Sequence, residues 1–142
     1  MARFKFRLEQ VLRYREQLES QAKMAFARAC LDLAEQVKKL NELRELLKKQ
    51  ELLPYQNPQE YWLRTNFIRS LNEDINEAEL NRQRLELQVE RRRVELVKAG
   101  QERRLLDRLK EKQAERYAHE QLLKEEKELD EVASLRHTAQ VV

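Results

Sequence analysis

A chain with one glycine, Gly100, and two prolines, Pro54 and Pro58, has few means of stopping a helix once it has begun. The two prolines stand close together and cut the sequence into two long stretches free of turn residues. Threonine occurs only at Thr65 and Thr138, and β-branched runs of the kind a sheet needs are missing. Charged residues make up 39% of the chain and aromatics only 6%, a mix that suits long helices better than a globular core. The predicted fold is all-α: an antiparallel coiled-coil helical hairpin forming a single coiled-coil domain over 1–142. Its first helix covers about 3–52, a connector 53–58, a second arm about 59–136, and a tail 137–142.

Apolar residues mark the expected seam. They run Leu8, Val11, Leu18, Ala22, Ala25, Ala29, Leu33, Val37, Leu40, Leu43 and Leu47, with Arg15 filling one slot, at an average step of about 3.5 residues. The repeated step of four from Ala25 to Val37 departs from a strict heptad and predicts local unwinding near Ala29. Leu53-Pro54 ends the first helix, and Asn57-Pro58 offers an N-cap followed by proline at the first helical position. At 1.5 Å per residue the arms span about 75 Å and about 115 Å, so they do not match end to end. Either the second arm overshoots the N-terminus, or its first part, 59–81, breaks near 80 and folds over the bend as a short helix. The cluster of Tyr61, Trp62, Phe67, Ile68, Leu71 and Ile75 favours the fold-over or an external contact there.

The net charge of +3 is small, but its distribution is uneven. Residues 1–53 carry 12 basic and 8 acidic side chains, 54–80 carry 2 and 5, 81–116 carry 12 and 7, and 117–142 carry 3 and 6. A hairpin with ends in line would lay the acidic C-terminal block beside Arg3, Lys5, Arg7, Arg13 and Arg15. The arginines at 82, 84, 91–93, 103, 104 and 108 are interleaved with acids at helical spacing, and no aromatic lies within 81–116 to stack on a base. No nucleic-acid partner is expected.

Chemistry is absent from the pattern. His119 and His137 are isolated, Cys30 is a lone thiol, and one glycine cannot build a phosphate-cradling loop. The reading is of a protein that is no enzyme and has no cofactor, no metal and no small-molecule substrate. A single cysteine, no long apolar run and no secretory leader pattern point to the cytoplasm.

The two ends are more specific. The opening Phe4-x-Phe6-x-Leu8-x-x-Val11-Leu12-x-x-Arg15 alternates basic and aromatic residues before the heptad takes over. Phe4 and Phe6 either pack on the second arm near Leu129 and Val132, closing the hairpin, or insert into another protein. The closing segment reads Glu125-x-Lys127-x-Leu129-Asp130-Glu131-x-Ala133-x-x-Arg136. These segments and the hairpin plan together resemble the FliJ family of flagellar export proteins, over the whole chain.

That resemblance implies a coiled coil similar to the shaft of rotary ATPases. Its termini would sit in the pore of a hexameric export ATPase, promoting ring assembly and activity. Its bend end would meet the cytoplasmic domain of the membrane export gate, and export chaperones are further implied partners. The location implied is the cytoplasm, peripheral to the inner face of the cell membrane. Carried onto this chain, gate-binding positions are Leu40, Leu43 and Leu47 in the first helix and Phe67, Leu71 and Ile75 after the bend. Leucines stand here where relatives can carry tyrosines, and Asp74 and Ala78 depart from the family pattern. For the ATPase end the implied residues are Phe4, Phe6, Arg7, Arg13, Asp130, Glu131 and Arg136. The alternatives are the equivalent stalk of a virulence-type secretion system and a coiled-coil scaffold or homodimer with no ATPase partner.

Overall fold

The computed structural model describes residues 3–141. Two helices account for nearly all of them: α1 (Glu9–Leu52) with 44 residues and α2 (Pro58–Val141) with 84. They pack against each other as a hairpin, and no strand occurs among the described residues. Two compact units are distinguishable. One, Glu19–Lys98, holds the bend; the other joins the residues up to Leu18 to those from Ala99 onward.

Helix α1 starts later than its charge-rich opening predicts. The alternating stretch up to Phe6 is not helical; Phe6 is buried, and its carbonyl accepts a hydrogen bond from the Glu9 amide at 3.2 Å. The helix ends at Leu52, just ahead of the Leu53-Pro54 step that proline forces out of the α region. Helix α2 begins at Pro58 with a reciprocal cap. Asn57 Oδ1 accepts from the Glu60 amide at 2.7 Å, and Glu60 Oε2 reaches back to accept from the Gln56 amide at 2.9 Å. The predicted tail from 137 is helical up to Val141.

Burial gives the seam directly, and it differs from the apolar reading. In α1 the covered positions run Leu12, Arg15, Glu19, Ala22, Phe26, Ala29, Leu33, Gln36, Leu40, Leu43, Leu47 and Gln50. These positions alternate in steps of three and four, and Leu18, Ala25, Cys30 and Asp32 are half-buried beside them. Gln36, not Val37, fills the slot; its Nε2 donates to the Ala78 carbonyl oxygen at 3.3 Å. Likewise Leu12 and Glu19 are buried where Leu8 and Val11 are exposed. In α2 an equally strict series runs Arg64, Ile68, Leu71, Ile75, Ala78, Arg82, Leu85, Val89, Arg92, Leu96, Ala99, Arg103, Leu106, Lys110, Gln113 and Tyr117.

This unbroken series explains why no short helix folds over the bend. A break near 80 would interrupt the heptad at Ile75, Ala78, Arg82 and Leu85, where the α2 face is already occupied by α1. In that unit Arg44 Nη2 also meets Glu79 Oε2 at 3.1 Å. The excess length of α2 therefore lies at its C-terminal end. From Leu122 to Gln140 every residue is exposed.

Gly100 is buried and has no positive φ, so it serves close approach and not a turn. It sits two residues before Glu102, whose Oε2 receives Arg15 Nη1 at 2.6 Å.

Candidate functional site

Each unit carries one surface that its own helices leave open. In the unit containing the bend, that surface is held by Arg64. Its Nη2 donates to the Pro54 carbonyl oxygen at 2.9 Å, its Nη1 to the Leu53 carbonyl oxygen, and its guanidinium lies 5.7 Å from the Tyr55 ring centre. The side chain is mostly buried, so a seam arginine ties the connector to the first turns of α2. Tyr55 and Tyr61 stack in a tilted pair with ring centres 4.9 Å apart. Around this rigid frame Leu52, Leu53, Leu63 and Trp62 face solvent, Trp62 at 64% exposure. Phe67 follows one turn on at 43%. An aromatic and aliphatic cluster of this kind, fixed on a capped helix start, is suited to docking against another protein.

In the other unit the N-terminal run lies against α2. Phe4 meets Tyr117 with ring centres 5.6 Å apart and planes tilted at 44°, while Phe6 is buried. Leu129 and Val132, the expected partners of these phenylalanines, are instead exposed at 69% and 48%. The overshoot of α2 carries them past the level that Phe4 reaches. Charge follows the same register. Lys110 Nζ meets Glu9 Oε2 at 2.8 Å, Arg15 meets Glu102, and Arg13 pairs along its own helix with Glu9 at 3.8 Å. The acidic C-terminal block is thus not laid beside Arg13 and Arg15 as an in-line hairpin would require.

Four arginines of the middle stretch are paired along the helix. Arg93 Nε donates to Glu90 Oε2 at 2.9 Å, Arg92 Nη1 to Glu95 Oε2 at 3.0 Å and Arg103 Nη1 to Asp107 Oδ2 at 2.5 Å; Arg82 bridges Glu79 and Glu86. The hydrogen bond from Arg82 holds the Glu79 carboxyl below its ordinary range, and Arg93 does the same to Glu90. Among the described residues no cluster of His, Cys, Asp and Glu could hold a metal ion, and no helix is long and apolar enough to cross a membrane.

Comparison with known proteins now decides the family. The family model for the flagellar FliJ protein matches residues 4–141, the two aromatic-bearing and acidic ends included. The chain belongs to the FliJ family. No curated protein and no solved structure matches it. Membership makes this a coiled-coil protein associated with flagellar protein export.

The FliJ-type positions fall into distinct environments. Of the gate set, Leu40 at 2% exposure and Leu71 at 4% are the centre of the seam, and Leu43, Leu47 and Ile75 are half-buried beside them. Phe67 alone of that set is open to solvent. Of the ATPase set, Phe6 is buried and Phe4 half-buried, whereas Arg7, Arg13, Asp130, Glu131 and Arg136 are exposed. The two groups do not converge: Phe4 and Phe6 stand at the level of Tyr117, and Asp130 to Arg136 lie further along α2. Trp62 and Leu63 were overlooked as site residues. The signal for them was present, since an indole and a leucine beside a helix cap have no inward slot in the Arg64–Ile68 steps.

Proposed function

We propose that this chain is the coiled-coil stalk linking a hexameric export ATPase to the membrane export gate, with a role in export chaperone handling. One observation supports the reading above the rest: each unit has a covered heptad seam and carries an open apolar cluster toward one end, Trp62 with Leu63 and Phe67 at the bend and Leu129 with Val132 late in α2. The bend surface, with Trp62, Leu63 and Phe67 outermost, meets the cytoplasmic domain of the gate. Leu40, Leu43, Leu47, Leu71 and Ile75 support it from beneath by fixing the helices that carry it. The other surface, built from the N-terminal run and the acidic end of α2, seats in the ATPase ring. There Phe4 and Phe6 fix the chain entry, and Arg7, Arg13, Asp130, Glu131 and Arg136 supply the charged rim. A cytoplasmic site at the inner face of the cell membrane follows from these two partners.

The test separates the surfaces. Trp62→Ala with Phe67→Ala is expected to lower affinity for the isolated gate domain at least about tenfold, since apolar anchors of this size commonly each contribute more than about 1 kcal/mol. Helix content and stimulation of ATP hydrolysis by the export ATPase should stay as in the parent chain. Removal of residues 118–142 should do the reverse. Gate binding that is indifferent to Trp62 and Phe67 would contradict the proposal.

A further inference from the structure

The exposed end of α2 has a seam of its own. Carried past Tyr117, the hairpin's alternating steps fall on Glu120, Lys124, Lys127, Glu131 and Ser134, all polar and all exposed. An apolar series sits one to two positions on, at Ala118, Leu122, Leu129, Val132 and Ala139, again in steps of four and three, with Leu123, Ala133 and Leu135 beside it. Glu125 and Arg136 fill the two remaining slots of that series. An offset of one to two residues turns a helix face by about 100–200°, so this stripe is not an unfinished length of the hairpin seam. It is built for a different partner helix.

The charges on the stripe identify that helix. In an antiparallel pair of two such segments, layers form between positions whose numbers sum to a constant. When Leu129 faces Val132 of a second copy, Glu125 faces its Arg136 and Leu122 its Ala139. The Glu125–Arg136 pair then occurs twice, once on each side of the two-fold axis. The flanking positions agree, because Glu126 comes opposite Ala133 and Glu128 opposite Leu135, with no like charges facing. Sliding one copy by a heptad sets Glu125 against Leu129, or Arg136 against Val132. A parallel pair sets Glu125 against Glu125 and Arg136 against Arg136. Only the antiparallel register satisfies both the apolar and the charged slots.

We infer that the exposed end of α2 is a homotypic pairing segment that joins a second copy of this chain antiparallel, through Leu122, Leu129 and Val132 with Glu125 opposite Arg136. Three heptads make a weak pairing, so the dimer is reversible and concentration-dependent. On the stalk reading above, the paired state withholds this segment from the ATPase ring; the pairing itself does not depend on that reading.

Sedimentation of the full chain alone, from micromolar to millimolar concentration, tests it. The parent chain is expected to pass from monomer to dimer. Glu125→Arg and Arg136→Glu are each expected to weaken the dimer at least about tenfold by setting like charges together. An equimolar mixture of the two variants, and the chain carrying both changes, should recover it. Helix content is unaffected in all of them, because neither residue lies in the hairpin seam. A parent chain that stays monomeric throughout would overturn the inference, as would a dimer indifferent to either single reversal. Since no ATPase is present, neither result touches the stalk reading, which fails only on its own binding assay.

Discussion

Residues 64–117 of α2 and the residues after them share one helix, one kind of composition and one period, yet the first stretch is covered at each heptad step and the second is open. Leu71 is almost wholly buried and Leu129 largely exposed. Hydropathy does not separate them. What differs is the presence of α1 and the phase of the apolar stripe, which shifts by one to two residues after Tyr117. Burial in a coiled coil is set by register against a partner, so the same residue type is covered in one stretch and open in the other.

The sharpest way to break this contrast is to truncate a leucine on each side of it. Leu40→Ala is expected to destabilise the protein by about 2–5 kcal/mol, because a seam leucine leaves a cavity that the helices cannot close. Leu129→Ala should fall within about 0.5 kcal/mol of the parent chain. Urea unfolding followed by circular dichroism, at a concentration where the chain is monomeric, measures both. Equal losses would mean that the extension has a partner within the chain.

Gly100 offers a second, smaller test. Filling its buried site with Gly100→Leu should cost about 1–3 kcal/mol by overpacking, whereas Ala118→Leu, on the open stripe, should be close to neutral in thermal unfolding. Capping comes next. Asn57→Ala should cost about 1 kcal/mol and loosen the connector, seen as faster amide exchange at Gln59 and Glu60. The smallest effect is on acid stability. The Glu79 and Glu90 carboxyls have folded-state values below the ordinary 4.5, so their contribution is present above 4.5 and disappears as pH falls through the folded values. Both are surface groups, so Glu79→Gln should flatten the fall of the melting temperature below pH 4.5 only slightly.

The hairpin was legible because punctuation is local: Leu53-Pro54 and Asn57-Pro58 fix their helix ends by sterics and capping alone. The seam was half legible. Leu40, Leu43 and Leu47 declare themselves, but Arg15, Glu19, Gln36, Arg82, Arg92, Arg103 and Lys110 occupy covered slots that an apolar reading assigns to neighbours. Long side chains can cover a seam with their stems while their heads reach water, which is why apolarity alone points to Val37 where Gln36 is covered. The same polar slots made a break near 80 plausible. Where the second arm's excess length goes could not be read from either helix separately, because it depends on register between them. Phe4 therefore found Tyr117 and not Leu129. At the bend, the apolar cluster that includes Trp62 and Phe67 is legible in the sequence, and the Arg64 clamp shows which face of the first turn is open.

On the proposed stalk role, the end of α2 is open to receive the export ATPase while the seam beside it is covered. Hydrogen exchange read by mass spectrometry, at a concentration too low for self-pairing and with and without that ATPase, measures it most directly. Slow exchange along Leu12 to Gln50 and Arg64 to Tyr117 in both conditions is predicted, with fast exchange at 118–141 that becomes slow on adding the ATPase. Exchange at 118–141 that is already slow in the free chain, or that is unchanged by the ATPase, would contradict the account.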